Sequence, residues 1–564
     1  MAPFSLDPVQ QTVPFGEYIF RRIELLGVKS VFGVPGDFNL GLLEHIYSTN
    51  VQWYGGCNEL NAGYAADGYA RASHKFGVLV TTFGVGSLSA MNACCGAWSE
   101  FVPLLHIVGA TSTAQQLSGQ LIHHVAPKST LSRPVNHSIY AEMVEPIACK
   151  VESIMSLDKA PEKFDYLLKE IIDTKKPGYL FLPCDLVDKP VDASRLETVD
   201  LFKPIEPVPN GLAYQIASLV LSKLYSSARP VVLGDILTDR FGLTETLRNF
   251  VQATKIPNLS TFMGKSILDE TLPWYVGEYN GNVSNPDSQK FVQSCDLMLH
   301  VGNYPNEINS GHYTFYQNIN DVIYMNHEGV TIGGRRVNVS FVYVLPLVLK
   351  MLNVFKLKPF RIPSLNREIK QVQSNTPISQ TQLISSLQKM VKEDDTLVVD
   401  TGTVMFGLPD LQLPKNTRLI GQHFYLSIGM ALPCSFGVAV AQRENGSNSR
   451  LILLEGDGAA QMTIQELSAF IKYGFSPLIL VLNNSGYTVE RAIKGPMREY
   501  NDAMPNWKWT RILEVFGSND SESVKVREVA DLESEIKSFG LKIKLIEIEL
   551  DKMDTPWRFD SMCN

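Results

Sequence analysis

The sequence lacks most of the features that would assign it to a specialised class of protein. Its eight cysteines among 564 residues form no CxxC pair, so we expect reduced thiols rather than a disulfide framework or a zinc site. There is no basic block and the net charge is −8, which disfavours nucleic acid and anionic membranes as partners. The longest apolar stretches, such as VYVLPLVLKMLNV, are too short and interrupted to span a bilayer. No strand runs into GxGxxG, which argues against a nicotinamide dehydrogenase.

The N-terminal segment MAPFSLDPVQQTVPFGEY has no charged region followed by an apolar core, so no secretory signal is visible. We therefore expect a cytoplasmic protein. A hydrophobic content of 45% and a charged content of 19% are typical of a globular chain. Because 564 residues exceed what a single core usually supports, two to four domains are expected.

Short β-branched runs alternate with amphipathic stretches along nearly the whole chain. Continuous apolar strands separated by helical lengths are typical of parallel sheets covered on both faces. The fold class we predict is therefore α/β, with doubly wound parallel sheets. The predicted strands are 30–34, 77–83, 104–109, 178–183, 230–234, 296–302, 396–400, 450–456 and 477–484.

Two proline-containing stretches without a sustained period, 187–211 and 356–379, are predicted to be linkers. They separate three predicted domains, 1–190, 205–356 and 376–550, each of ordinary size. LVTTFGVGSLSAMNA in the first domain and ILLEGDGAAQMTIQEL in the third both run strand, Gly-x-Gly, helix. Only the third has Asp between the glycines, which suggests two related folds with a metal-type ligand on one alone. The central segment shows no cofactor motif.

The stretch LLEGDGAAQMTIQEL places a carboxylate, Asp457, between two glycines at the end of an apolar strand. In open parallel sheets, ligands bind beyond the carboxyl ends of strands, where helix N-termini offer unpaired N–H groups to an anion. Asp457 would repel that anion unless a cation lay between them, so the pattern predicts phosphate together with Mg²⁺. For the helix that follows, we predict a capping box at Thr463 and Glu466 and an end at Gly474.

The next apolar strand offers further oxygen ligands. LILVLNN ends at Asn483 and Asn484, about one crossover helix after Asp457. An asparagine side-chain oxygen and a backbone carbonyl in NNSGYT would complete the protein ligands of the cation. A lone GDG is a common turn, whereas GDG followed by a helix and an apolar strand ending in NN is a far more specific pattern.

This pattern carries a resemblance. It resembles the diphosphate-binding motif of thiamine diphosphate (ThDP) enzymes, and similarity to the fungal 2-oxo acid decarboxylases, the pyruvate decarboxylase family, extends over nearly the whole chain. Segments such as LGDILTDRFG, INSGHYTF and ERAIKGP are most similar to the family members that act on phenylpyruvate in amino-acid catabolism to fusel alcohols, the Ehrlich pathway. The other matching signatures are FGVPGDFNL, NELNAGYAADGYAR, TTFGVG, HH at 123–124, DTGT, SIG and NNSGYTVE.

The resemblance implies an N-terminal pyrimidine-binding domain, a central α/β domain and a C-terminal diphosphate-binding domain, the first and third related. It implies ThDP and Mg²⁺ as cofactors, with Asp457, Asn484 and the carbonyl of Gly486 as metal ligands. Ile428 would be the bulky residue beneath the cofactor, although taken alone it would be ordinary core. The residues implied to contact ThDP are Glu59, Thr403, Leu426, Ser427, Ile428, Asp457, Gly458, Ala459, Asn484, Gly486, Tyr487, Thr488 and Val489.

The residues implied to be catalytic are Glu59, Asp37, His123, His124 and Glu490. Glu59 lies in an otherwise apolar or small stretch, where a carboxylate is costly to bury, and its implied role is to hydrogen-bond the aminopyrimidine of ThDP. Without the resemblance, Glu59 could be a helix cap, Asp37 a turn residue and the histidine pair incidental. The other four match the family's cluster for handling protons and the substrate carboxylate.

In this family the two halves of one active site come from different subunits. The first predicted domain carries Glu59 and the histidine pair, whereas the third carries the metal ligands and Glu490. The resemblance therefore implies a homodimer or a homotetramer with active sites at subunit interfaces.

Departures from pyruvate decarboxylases concern the substrate. YTVERAI replaces YTIEKLI, so Val489 and Ala492 are smaller than the residues they replace and are predicted to admit a larger side chain than methyl. YLSIG replaces WGSIG, which places Leu426 where a glycine carbonyl would accept from the aminopyrimidine. We expect non-oxidative decarboxylation of aromatic and other bulky 2-oxo acids, such as phenylpyruvate and indolepyruvate, to the aldehyde and CO₂. Two alternatives stay open: a pyruvate decarboxylase of alcoholic fermentation, and a catalytically inactive thiamine-binding regulator.

Overall fold

The computed structural model describes residues 12–129, 134–203, 210–362 and 377–563. The strands are β1 Thr12–Pro14, β2 Ser30–Gly33, β3 Gln52–Gly55, β4 Gly77–Thr82, β5 Leu104–Ala110, β6 Lys150–Ser153, β7 Pro177–Pro183, β8 Pro190–Asp192, β9 Pro230–Gly234, β10 Asn258–Ser260, β11 Tyr275–Glu278, β12 Leu297–Val301, β13 Val322–Asn326, β14 Gly329–Ile332, β15 Arg335–Val337, β16 Thr396–Val399, β17 Arg418–Gly421, β18 Leu451–Gly456, β19 Leu478–Asn483, β20 Ser521–Val526 and β21 Ile543–Glu549.

The helices are α1 Phe15–Leu25, α2 Leu40–Glu44, α3 Glu59–Ser73, α4 Val85–Ser89, α5 Met91–Ser99, α6 Thr113–Leu117, α7 Ile139–Val144, α8 Ala160–Thr174, α9 Ser194–Thr198, α10 Asn210–Ser226, α11 Leu237–Arg240, α12 Thr244–Thr254, α13 Pro286–Gln293, α14 Phe341–Met351, α15 Gln380–Met390, α16 Thr403–Gly407, α17 Ala431–Glu444, α18 Asp457–Thr463, α19 Leu467–Tyr473, α20 Thr488–Ile493, α21 Ile512–Val515, α22 Val529–Lys537 and α23 Trp557–Cys563. Short 3₁₀ helices cover His45–Ser48, Glu145–Ile147, Gly281–Val283, Val354–Lys356, Leu408–Asp410, Ile464–Glu466, Glu499–Asn501 and Trp509–Arg511.

The chain divides into two compact units, residues 1–205 with 433–448, and residues 206–432 with 449–564. The first unit contains a parallel sheet in the order β3-β2-β4-β5-β7-β6, and a short pair in which β1 lies antiparallel to β8. The predicted domain limits at 190, 205, 356 and 376 stay a prediction, and parts of both predicted linkers, 204–209 and 363–376, lie outside the described residues.

The second unit contains two sheets. One has the order β11-β10-β9-β12-β13-β14-β15 and is parallel except for the antiparallel hairpins that include β14 and β15. The other has the order β17-β16-β18-β19-β21-β20 and is parallel throughout. Three mostly parallel sheets with intervening helices confirm the predicted α/β class.

The first and last six-stranded sheets share one topology. Numbering the strands of each sheet in chain order, both run 2-1-3-4-6-5. The echo between LVTTFGVGSL and ILLEGDGAAQ falls on the third strand and following helix in both sheets, β4 with α4 and β18 with α18. The shared topology agrees with the predicted relation between the first and third domains.

All nine strands predicted from apolar runs are present, each within one or two residues of its predicted bounds. β4, β5 and β7 are buried at every position, and so are β9, β12, β16 and β19, because helices cover both faces of these sheets. The strands missed by the sequence pattern are shorter, more polar or at sheet edges, such as β3 QWYG and β20 SESVKV.

Two further features concern the cysteines and the length of the helices. All eight cysteines lie in the described ranges and none forms a disulfide there, and Cys94, Cys295 and Cys434 are buried. Within the ranges that the structure describes, no helix is both long enough and apolar enough to cross a membrane.

A fully buried histidine is expected to make the first unit sensitive to acid. His106 Nε2, on β5, lies 2.9 Å from Thr81 Oγ1, and the His106 ring packs against Tyr179. Burial lowers the pKa of His106 from 6.5 to about 3. Below pH 6.5 the unfolded state binds a proton that the folded state refuses, so stability falls as the pH drops from 6.5 towards 3. At pH 5 the loss is about 2 kcal/mol, at 1.36 kcal/mol for each pH unit.

Thermal unfolding from pH 8 to pH 4 tests this expectation. Replacing His106 by Gln should flatten the acid limb of the melting temperature against pH, even where it lowers stability at pH 8. Replacing His74 by Asn is the matched control, because His74 is an exposed histidine of the same unit. An unchanged acid limb in H106Q would assign the acid sensitivity to other groups.

Candidate active site

The carboxyl ends of β16, β18 and β19 meet at one edge of the last sheet. These three strands are neighbours and parallel, and the residues that follow them are Asp400, Asp457 and Asn484. β18 is buried from Leu451 to Glu455 and ends at Gly456, where α18 begins directly at Asp457. A buried parallel strand thus delivers a carboxylate to the edge of the sheet where ligands bind in this class of fold.

Three polar groups converge there. One terminal atom of the Asn484 amide lies 3.1 Å from Asp457 Oδ1 and 2.7 Å from the carbonyl oxygen of Gly486. With the amide nitrogen at that position, Asn484 donates hydrogen bonds to both neighbours. With the amide oxygen there, three oxygens face one another, and that arrangement requires a cation between them. Carboxylate, amide and carbonyl oxygens are the ligands that Mg²⁺ prefers, so the donor set fits this metal.

Asp457 is held in an environment that favours a bound cation. It is 1% exposed, and burial raises the pKa of its carboxyl to about 6, against the opposing effect of backbone N–H groups from Gly486, Gly458 and Asn484. A divalent cation would supply the charge that makes the ionised form favourable in this buried position.

The glycines of GDG and NNSGYT differ in whether the structure requires a glycine at their position. A side chain on Gly458 would place its Cβ 2.6 Å from the Tyr487 ring, so close packing requires glycine there. Gly486 has φ +138°, in the region that favours glycine. Gly456, in contrast, has an ordinary φ of −74°, and an added Cβ would meet nothing closer than 3.9 Å. Gly456 therefore borders the open cavity, and neither its backbone conformation nor its neighbours in the chain require glycine there.

The capping box predicted at Thr463 and Glu466 is wrong. Gly456 is the N-cap of α18, and the segment 464–466 is a 3₁₀ turn between α18 and α19. The Thr463 hydroxyl donates instead to the carbonyl oxygen of Gly429 at 2.6 Å, because the chain is already helical before Thr463 and needs no cap there. The predicted end at Gly474 is confirmed, with φ +66° in the left-handed conformation typical of a helix C-cap.

A cavity opens at this edge of the sheet. Among the residues predicted to contact ThDP or to be catalytic, those that line it are Thr403, Ile428, Gly458, Ala459, Asn484, Gly486, Tyr487, Thr488, Val489 and Glu490. Lining residues that the sequence analysis did not single out are Gln380, Asp400, Thr401, Gly402, Val404, Gly456, Leu482 and Leu550. Asp457, Leu426 and Ser427 are not among the residues that line the cavity.

Asp400 holds the backbone directly after Ile428 in place. Asp400 Oδ1 accepts from the Gly429 N–H at 3.0 Å, and Asp400 Oδ2 accepts from the Ala431 N–H at 2.7 Å. Ile428 itself is only half-buried and faces the cavity, as expected for a side chain that contacts a ligand. Leu426 has φ +59°, so it adopts the left-handed conformation that glycine tolerates better. Ser427 donates its backbone N–H to Gln422 Oε1 at 2.8 Å.

Glu455, the last buried residue before GDG, was missed by the sequence analysis. Its carboxyl group lies beside that of Asp400, and burial followed by the charge of Asp400 raises the pKa of Glu455 well above its ordinary value. Burial also raises the pKa of Asp400, to about 6. Two buried carboxyl groups in contact are favourable when one carries the proton that they share. The signal that could have found this pair was a carboxylate inside the apolar run LILLEG.

Glu59 lies at the start of α3 in the first unit. The helix cap is the neighbouring Asn58, whose side chain accepts from the Asn61 N–H at 2.8 Å, so Glu59 is free of that role. Glu59 Oε1 lies beside Gly86, where an added Cβ would approach it to 3.0 Å. The carboxylate is half-buried in this chain.

The structure brings Asp37, His123 and His124 together in the first unit. His123 Nε2 lies 2.8 Å from Asp37 Oδ2, and the two imidazole rings are 4.6 Å apart between centroids. His124 has φ +71°, and the Tyr140 hydroxyl donates to its carbonyl oxygen. Asp37 and His123 are exposed, so they can exchange protons with solvent or with a ligand. Glu490 is exposed on α20 of the second unit, and its participation with these three stays a prediction.

Comparisons with known proteins bear on all three sheets. Residues 14–131, 218–352 and 400–547 match the N-terminal TPP-binding, central and C-terminal TPP-binding domains of thiamine pyrophosphate enzymes. The chain belongs to the thiamine pyrophosphate enzyme family. It is therefore an enzyme of the ThDP-dependent class, with ThDP and Mg²⁺ as its cofactors.

Relatives of this ThDP enzyme are named decarboxylases. The chain is 39% identical to the transaminated amino acid decarboxylase of Saccharomyces cerevisiae, over 98% of this chain and 95% of that protein. It is 34% identical to pyruvate decarboxylase isozyme 3 of the same yeast and 35% identical to pyruvate decarboxylase of Kluyveromyces marxianus, each over 96% of both chains. These relatives confirm the resemblance to 2-oxo acid decarboxylases.

Proposed function

We propose that this ThDP enzyme catalyses the non-oxidative decarboxylation of aromatic and other bulky 2-oxo acids, such as phenylpyruvate and indolepyruvate, to an aldehyde and CO₂. The observation that carries the proposal is the convergence of Asp457, Asn484 and Gly486 at the edge of the last sheet. The cavity beside them is lined by residues that the resemblance implies to contact ThDP. The name of the yeast transaminated amino acid decarboxylase supports a role in amino-acid catabolism, the Ehrlich pathway.

The residues of the second unit would hold the cofactor at its diphosphate end. Asp457, Asn484 and the Gly486 carbonyl would bind Mg²⁺, while Thr403, Gly458 and Ala459 would contact the diphosphate. Ile428 would support the middle of the cofactor, and Asp400 holds the backbone that follows Ile428. Tyr487, Thr488 and Val489 would line the same cavity, and Leu426 and Ser427 would approach the aminopyrimidine. When bound, ThDP would supply a nucleophilic carbon and an electron sink for decarboxylation.

The residues of the first unit would handle protons. Glu59 would hydrogen-bond the aminopyrimidine and so promote loss of the thiazolium proton. Asp37, His123 and His124, which contact one another, would bind the substrate carboxylate and deliver a proton to the product. We propose that Glu490 joins them in a homodimer or homotetramer whose active sites lie at subunit interfaces, and that the enzyme is cytoplasmic.

The substrate preference is expected to depend on two small residues of α20. Val489 lines the cavity, and Ala492 lies three residues further along, on the same side of the helix. Restoring the larger residues with V489I and A492L together should lower kcat/KM for phenylpyruvate at least about 10-fold, since methylene-sized changes in a pocket have effects of that order. Activity on pyruvate should change less.

Steady-state kinetics with pyruvate, phenylpyruvate and a branched 2-oxo acid provide the measurement. The parent enzyme should have the higher kcat/KM for phenylpyruvate, and V515I, at an exposed position away from the cavity, is a matched control. An equal or higher kcat/KM for pyruvate in the parent would support a pyruvate decarboxylase instead. Binding of ThDP and Mg²⁺ without CO₂ release from any of these acids would support an inactive regulator.

A further inference from the structure

The cavity wall contains a buried glutamine that belongs to none of the family motifs named above. Gln380 is the first residue of α15, is 1% exposed and lines the cavity next to Thr403. Its position is fixed from both sides. The backbone N–H of Gln380 donates to Asp554 Oδ2, and Ser379 before it forms a capping box with Gln382. The backbone of Gln380 is therefore held in place at the start of the helix.

The orientation of the Gln380 amide follows from its neighbours. Nε2 lies 2.5 Å from the backbone carbonyl oxygen of Asp554, which can only accept a hydrogen bond. The atom facing that carbonyl must therefore be the amide nitrogen. The same Nε2 lies 2.8 Å from Thr403 Oγ1, and because the nitrogen is only a donor, Thr403 Oγ1 must accept from it.

This contact determines what the Thr403 hydroxyl can offer to a ligand. A hydroxyl that accepts from Gln380 keeps its own hydrogen free to donate elsewhere. No described residue accepts that hydrogen, and Thr403, 7% exposed, lines the cavity. A donor held in advance at the wall of a buried cavity suits an anion such as a phosphate, because hydrogen bonds to charged groups are the strong ones.

We propose that Gln380 is a positioning residue that keeps the Thr403 hydroxyl oriented as a hydrogen-bond donor to the diphosphate of ThDP. The inference rests on the proposed placement of the diphosphate in this cavity. Without Gln380, the hydroxyl would be free to rotate and to point its lone pairs at the anion. With a carboxylate in place of the amide, the Thr403 hydrogen would turn towards that carboxylate and away from the ligand.

The test measures affinity on the metal-loaded apoenzyme, with inorganic pyrophosphate and with ThDP as probes, by isothermal titration calorimetry with Mg²⁺ present. Q380M keeps the length of the side chain and is expected to weaken both ligands about 10-fold, the effect of one hydrogen bond to a charged group. T403V should weaken them by a similar factor. Q380E should weaken them more than either, because it reverses the hydroxyl and adds negative charge.

A double-mutant cycle separates positioning from a general structural effect. Q380M in the T403V background should weaken pyrophosphate no further, whereas in the T403S background, which keeps the hydroxyl, it should retain its full effect. The matched control is Q388M, at another glutamine of α15, whose amide bonds only the backbone of Gln412 among the described residues, at 2.7 and 2.9 Å. Q388M should leave both affinities unchanged. Melting temperatures establish that each variant is folded.

The possible outcomes distinguish a failure of the positioning inference from a failure of the proposed diphosphate site. If the losses in Q380M and T403V multiply in the double variant, the two residues act independently and the positioning inference is wrong. If T403V weakens pyrophosphate but Q380M does not, the inference is again wrong while the diphosphate site stands. If neither T403V nor removal of the Asp457 carboxylate weakens pyrophosphate, the proposed placement of the diphosphate itself is wrong.

Discussion

Replacing Asp457 by alanine is expected to lower both the affinity for ThDP and the rate of CO₂ release by more than about 100-fold, since even the loss of a residue that supports a metal ligand typically has an effect of 10–100-fold. Asp457 is the only carboxylate among the three groups that converge with Asn484 and the Gly486 carbonyl. Neutral amide and carbonyl oxygens alone cannot offset the charge of a divalent cation in a buried site. Without the cation, the diphosphate would lose its principal electrostatic partner.

The measurement combines ThDP affinity, from quenching of intrinsic fluorescence, with aldehyde production at saturating Mg²⁺. D457N is the sharper variant because it keeps the shape of the side chain and removes only the charge. D531N is the matched control, since Asp531 is an exposed carboxylate in the first turn of another helix, α22. If D457A still bound ThDP and produced aldehyde at the parent rate, the metal site would have been assigned to the wrong residues.

The sheet cores were predictable because burial leaves a clear pattern in the sequence. A parallel strand covered on both faces must be apolar at every position, as in β9 PVVLG or β19 LILVLN. β20 SESVKV lies at a sheet edge and is mostly half-buried or exposed, so its residues follow no such constraint. The antiparallel strands β14 and β15 were missed because a short hairpin at the end of a sheet has no crossover helix to mark it.

The site was predictable where a single segment carries both ligand and strand. GDG and NN each follow an apolar strand, so the local sequence places Asp457 and Asn484 at the same edge of a sheet. Gln380 has no such signal. Its role depends on Thr403 and on Asp554, 174 positions away in the chain, and only the folded structure brings the three together.

The contact between Glu455 and Asp400 could not be predicted from the sequence either. Each was visible in a quoted motif, LLEGDG or DTGT, yet the sequence does not reveal that the two carboxyl groups meet. They meet because β16 and β18 are adjacent in the sheet, although about fifty residues of chain separate them. Pairing between strands, rather than local pattern, decides which buried polar groups share a proton.

Replacing Glu59 by glutamine is expected to lower kcat about 10²–10⁴-fold, the usual range for removal of a general acid–base group. Glu59 does not cap α3, because Asn58 does, and it lies beside Gly86 in the first unit with part of its surface accessible. Glutamine preserves the size of the side chain and its ability to hydrogen-bond, but it cannot exchange a proton with a ring nitrogen. ThDP should therefore still bind to E59Q, within a few-fold of the parent affinity.

The decisive measurement is the exchange rate of the thiazolium C2 proton of bound ThDP for deuterium, followed by nuclear magnetic resonance after acid quenching. E59Q should slow this exchange by a factor similar to the loss in kcat, because the proposed role of Glu59 precedes any contact with substrate. E162Q, in the first turn of α8, is the matched control, because the Glu162 carboxylate is half exposed and its ion pair with Arg195 is long, at 3.9 Å. Fast C2 exchange together with slow CO₂ release in E59Q would place Glu59 in a later step, alongside Asp37 and the histidine pair.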